Sequence, residues 1–156
     1  MHPSIRSHLL AVLTVLGLSL GSVGAARAAS VTGAGWFLGT LTVVSAHSTA
    51  GGARGTVFFD DPDDDVTGDL FANVVDLYVA GNTAIVTSII TESTYPDFMG
   101  GYLYLLLLED GPKVEYFSWV ISGYLLPREY LLEILASLPS SSPPKILSHG
   151  HIVVKE

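Results

Sequence analysis

The chain has 156 residues, a formal net charge of −8, no cysteine, 14% charged and 49% hydrophobic residues. That length suits one domain. The apolar share excludes an ordinary disordered tail, and the acidic balance excludes a nucleic-acid surface, whose phosphates need Lys and Arg. The missing cysteine removes disulfide scaffolds, thiolate zinc sites, cysteine nucleophiles, iron–sulfur clusters and a lipoprotein anchor.

Residues 1–28 read as an address. Arg6 precedes an uncharged apolar run over residues 9–20, and Ala26-Arg27-Ala28 offers small residues at the two positions a signal peptidase reads. Cleavage before Ala29 fits, although Arg27 between the two alanines lets the cut shift by a few residues. An uncleaved anchor is the alternative, but the run is shorter than the ~20 residues of a membrane span. The expectation is a secreted or periplasmic chain whose mature part is residues 29–156. Losing residues 1–28 removes Arg6 and Arg27 but no acid, so the net charge moves from −8 to −10.

Short β-rich runs come next, separated by turn residues. They cover residues 31–37, 40–46, 56–59, 70–79, 84–91, 102–108, 114–121 and 146–154. In the second, Thr40 and Thr42 alternate with Leu41 and Val43, the pattern of a half-buried strand. Gly51-Gly52 reads as a break, Gly81-Asn82 as a tight turn, and Gly111-Pro112 as another. Strands at this spacing predict an all-β fold, an antiparallel barrel or sandwich of about eight strands. The run Leu105 to Leu108 reads as a strand buried on both faces.

One segment differs. Over residues 127–138, Leu131, Ile134, Leu135 and Leu138 recur at helical spacing, with Pro127 at the start and Pro139 at the stop. This predicts one helix near the C-terminus, packed over an edge or open end of the β-structure. A Ser/Pro linker over residues 139–144 then leads to the last strand. An outer-membrane barrel would need a lipid-facing apolar row on each strand. The two-sided run at Leu105–Leu108 and the non-aromatic C-terminus, Val154-Lys155-Glu156, argue against it.

Six carboxylates fall between Asp60 and Asp69. Asp61, Asp63 and Asp65 have the alternating spacing of a calcium loop, and Asp69 occupies its ninth position. Val66 stands where that loop needs glycine, and Ala72 where it needs a bidentate glutamate, so this is not an EF-hand. The choice is between weak calcium binding and a solvated hairpin loop whose charge blunts edge pairing. His149 and His151 share a strand face and form half a metal site, with His47 the only other mature histidine. No nucleophile elbow, zinc-protease motif or phosphate loop occurs. Glu109, Asp110 and Glu115 surround a turn, where acids are ordinarily exposed; a carboxylate pair assembled across strands is the one acid–base arrangement left open. Trp36, Phe71, Tyr102, Tyr104, Phe117 and Trp119 either line a cavity or form plain core.

Val31-Thr-Gly-Ala-Gly-Trp36, Gly55 to Asp61, Leu77-Tyr-Val-Ala-Gly-Asn-Thr-Ala84, Asp110-Gly111 with Phe117-Ser-Trp-Val-Ile121, and His149-Gly-His-Ile-Val-Val154 come in a telling order. Together they resemble the landmarks of small secreted bacterial domains of the post-COAP family. Ala34 and His151 depart from that pattern, and residues 124–144 look additional. The resemblance implies an exported antiparallel β-domain and brings no known reaction and no site residues.

The leading expectation is an exported non-enzymatic binding or interaction domain, using the acidic loop and an aromatic-lined barrel end toward a surface or extracellular partner. The alternatives are a small-ligand barrel (a carrier or a cyclase-like enzyme) and a calcium-stabilised surface domain. A hollow interior with a few inward polar groups goes with the ligand barrel. An interior filled with Leu, Val and Phe goes with the interaction domain.

Overall fold

The runs of β-formers become β1 (Ser30–Phe37), β2 (Thr40–Thr49), β3 (Gly52–Asp60), β4 (Leu70–Ala80), β5 (Thr83–Ser93), β6 (Tyr102–Glu109), β7 (Val114–Ser122) and β8 (His149–Lys155), with one α-helix, α1 (Arg128–Ser137). The computed structural model describes residues 28–62, 68–110, 114–140 and 147–156. The expected signal peptide up to residue 27, the carboxylates Asp63 and Asp65, the Gly111-Pro112 turn and residues 141–146 lie outside the described residues.

Each strand from β1 to β6 pairs antiparallel with the next in the chain, and β8 returns to pair with β1. The resulting eight-stranded sheet curls into a nearly closed barrel. β1 turns into β2 over Leu38-Gly39, both at positive φ (52° and 86°), a turn whose twist matches a right-twisted hairpin. β4 turns into β5 at Gly81-Asn82, as the sequence predicts. The end strands β7 and β8 meet without a ladder. The Leu147 N–H donates to the Glu115 carbonyl (2.9 Å), and the Glu109 carboxylate accepts the N–H of Val154 (3.0 Å). Glu109 thus links β6 to β8 at the rim, a closing contact for an acid that the sequence suggested was simply exposed.

Alternation of side chains across the wall builds two cores. The first fills the barrel, with Val31, Val57, Phe59, Val86, Leu105, Phe117 and Ile152 all fully buried inside. The rings of Phe37 and Phe117 meet edge-on at 5.3 Å, and those of Phe59 and Trp119 at 6.0 Å. The second lies outside the barrel, where Ile85, Tyr104 and Leu106 project outward and α1 lays Leu131 and Leu135 on them, with Leu138 just beyond. β6 is therefore buried on both faces. The helix sits on the outer wall rather than over an edge or end, because that wall carries the second apolar face that the Leu105–Leu108 run demands.

In β2 the alternation is present with its sense reversed. Thr40 and Thr42 face inward and are fully buried, while Val43 is 39% exposed. Val44 and Ala46 share the inward face, and one strand has only one register. On the outer face of β2 and β3, Ser45, His47, Arg54 and Thr56 lie side by side, the inverse of a lipid-facing strand. Among the described residues no helix is long and apolar enough to cross a membrane.

Candidate functional site

β4 carries a bulge at Val75, where the pairing with β5 shifts between Val74 and Asp76. The extra residue twists the strand and re-aims the side chains after it. Past the bulge, Asp76 and Tyr78 stand on the outer wall beside Ile85, Thr87 and Ile89 of β5 and Tyr102 and Tyr104 of β6. The chain entering α1, from Leu125 to Arg128, arches over this wall. The space between is a groove of about 670 Å³, a size that suits a small organic molecule.

Two hydroxyls mark its floor. Thr87 is 5% exposed, and its hydroxyl, with no protein partner among the described residues, is not closed off from solvent. Its register partner Tyr104 is fully buried. The Tyr104 hydroxyl accepts the N–H of Leu126 at 2.8 Å, and its own proton has no acceptor among the described residues. Tyr102 stacks beside it at 6.2 Å. At the mouth Arg128 lies 4.7 Å above the Tyr78 ring and 3.4 Å from the Asp76 carboxylate. Both charged side chains are half exposed, so that ion pair adds little stability. Leu125, on the rim, is 63% exposed.

Burial raises the Tyr104 phenol above its ordinary pKa of 10.0; the Leu126 N–H opposes this and Tyr102 adds to it. The folded protein therefore keeps a proton that the unfolded chain releases. The associated stability is complete below about pH 10 and is lost as pH rises through the folded value. Melting temperature should fall across this alkaline range, and Tyr104→Phe should make the fall shallower. The same variant loses about 1 kcal/mol at neutral pH, because the Leu126 N–H loses its acceptor. Equal alkaline slopes in the two proteins would exclude Tyr104 as the source.

The other sequence-predicted residues divide between faces. Phe117 and Trp119 point into the filled interior, whereas Trp36, Phe71, Tyr102 and Tyr104 point outward. No single end of the barrel gathers the six aromatics. Phe58 and Phe71 are register partners on the outer wall, where they form a shallow depression of about 420 Å³ with Asp69 and Glu92. The interior also holds polar atoms without a partner among the described residues: the hydroxyls of Thr40, Thr42 and Ser88 and the Trp119 indole nitrogen. They come from β2, β5 and β7, and Trp119 packs on Phe59 rather than around a lumen.

Of the four calcium candidates, Asp61 and Asp69 come together. Asp69 Oδ1 accepts the N–H of Asp61 (3.1 Å), and Asp61 Oδ2 accepts the N–H of Gly68 (3.2 Å). These bonds close the neck of the loop. Asp63 and Asp65 lie outside the described residues. Among the described residues no three His, Asp or Glu side chains group as metal ligands. His149 and His151 are exposed on the outer face of β8. His47 opposes Ser30 and His151 opposes Ala34, so four residues along β1 separate them, ~13 Å along the strand alone.

The groove was not anticipated from the sequence. Its only early signal is the two-sided apolar run in β6, which shows that something covers the outer wall. No family model matches the chain, nor does any curated protein or solved structure.

Proposed function

We propose that the chain is an exported, non-enzymatic binding domain that works with the outer wall of its barrel rather than with the lumen. The observation that carries this reading is where space and packing lie. The interior is occupied by Val, Leu and Phe side chains, and the groove of about 670 Å³ lies outside, under the approach to α1. The signal-like first 28 residues and the order of landmarks resembling the post-COAP pattern support the exported part of the reading. A barrel of this kind is a rigid frame on which an insert, here the segment from Gly123 to Ser140, shapes a surface.

The test is amide shift mapping by NMR on residues 29–156 against a library of small aromatic and aliphatic fragments. Perturbations should gather on outward-facing positions such as Tyr78, Thr87 and Tyr104. Perturbations centred on inward positions such as Phe59, Val86 and Leu105 would overturn the proposal and make the protein a lumen carrier.

A further inference from the structure

We infer that the groove between α1 and the β4–β6 wall is a site for an uncharged, ring-bearing lipophile carrying one hydrogen-bond acceptor, a deepening that rests on the outer-wall reading above. The polar floor points to such a ligand. Thr87 is only 5% exposed, and its hydroxyl, which has no protein partner among the described residues, is not closed off from solvent: the little surface it keeps opens onto the groove. A ligand acceptor lying over β5 would satisfy it. Tyr104 lies beneath it, fully buried, its oxygen held by the Leu126 N–H.

The walls define the remainder of the ligand. Tyr78 and Tyr102 supply ring faces and edges, which favour a flat ring system over a flexible acyl chain. Ile85 and Ile89 supply the apolar floor beneath it. Charge at the mouth excludes an anion: Asp76 and Glu129 outnumber Arg128, and Arg128 is already held by Asp76 and the Tyr78 ring. The chain's overall charge of −8 acts in the same direction. The exposed Leu125 on the rim is placed to cover a bound ring, an apolar contact it lacks in the free protein.

Nile red is a suitable probe, since it is neutral, planar, carries a carbonyl acceptor, and brightens and shifts to the blue in apolar surroundings. Purified residues 29–156 should give a saturable blue-shifted emission. Thr87→Val keeps the shape of the side chain and removes the donor, so it should weaken binding about fivefold while leaving the melting temperature unchanged or higher. Ile89→Trp should fill the groove and abolish the signal. Phe58→Ser, on the separate exposed depression, should change nothing. No saturable signal from the folded protein, or equal affinity in Thr87→Val, overturns the inference. A signal that survives Ile89→Trp and falls in Phe58→Ser overturns the groove assignment yet leaves the outer-wall reading standing. Should Ile89→Trp not fold, the Thr87→Val comparison still decides.

Discussion

Gly55→Ala should cost roughly 3 to 5 kcal/mol, near the upper end for a single substitution that removes no side chain. Gly55 lies inside β3 at φ +141°, a conformation that side chains rarely adopt. A Cβ there would be driven into the carbonyl oxygen of Ser45 and would sit 2.7 Å from the Ser45 carbonyl carbon and 2.9 Å from the Ala46 Cα. All three obstacles are backbone of β2, held by the ladder, so no rotamer change relieves them. Backbone strain alone accounts for about 1 to 3 kcal/mol, and the clash adds the rest. For a domain of this size the melting temperature should drop by roughly 10 to 20 °C. Gly81→Ala is the matched control. Gly81 also has positive φ (+58°), but its Cβ would meet nothing within 4 Å. It should cost only about 1 kcal/mol, the ordinary penalty for a left-handed residue. If the two variants melt together, β2 and β3 do not approach each other as closely as described.

The same glycine shows what the sequence conceals. The stretch Gly51-Gly52-Ala53-Arg54-Gly55 lacks strand formers, and the sequence predicts the third strand only from Thr56. The structure begins β3 at Gly52, paired with Thr49. Propensity measures what a side chain adds to a pleated surface. Here its absence is what lets two strands draw together. Elsewhere the local signals suffice. Gly81-Asn82 directly precedes β5, Gly100-Gly101 directly precedes β6, and Pro127 and Pro139 bracket the helix to within a residue or two. The inward sense of Thr40 and Thr42 was illegible because it depends on Val44 and Ala46, which have a stronger claim on the interior.

The site was less legible than the fold. Thr87 and Tyr104 are 17 positions apart, and only the β5–β6 register sets them side by side. Val75 becomes a bulge through a pairing shift that no local motif announces. The acidic run is the opposite case. It is conspicuous in the sequence, yet its two described candidates, Asp61 and Asp69, serve first to hold the ends of their own loop together. A conspicuous cluster reflects composition, whereas a groove reflects topology.

Two neighbouring leucines of β6 separate the cores experimentally. Leu105 points into the barrel between Val86 and Trp119, and Leu106 points outward between Ile85 and Ser118, under α1. Both are fully buried. Leu105→Ala should cost about 3 to 5 kcal/mol, the range for a cavity in a filled core that cannot collapse. In hydrogen exchange it should lower protection in every strand, since the barrel wall opens as a unit. Leu106→Ala should cost about 2 to 3 kcal/mol, because a single helix can settle into part of the space. Its exchange signature should be local, with the amides of Leu131 to Ser137 losing protection while β2 and β3 keep theirs. A Leu105→Ala cost near 1 kcal/mol would mean that the side chain borders open space, and the lumen would then regain its place as the binding cavity. A global loss of protection in Leu106→Ala would mean that α1 belongs to the cooperative barrel core and does not rest on it as a separate layer.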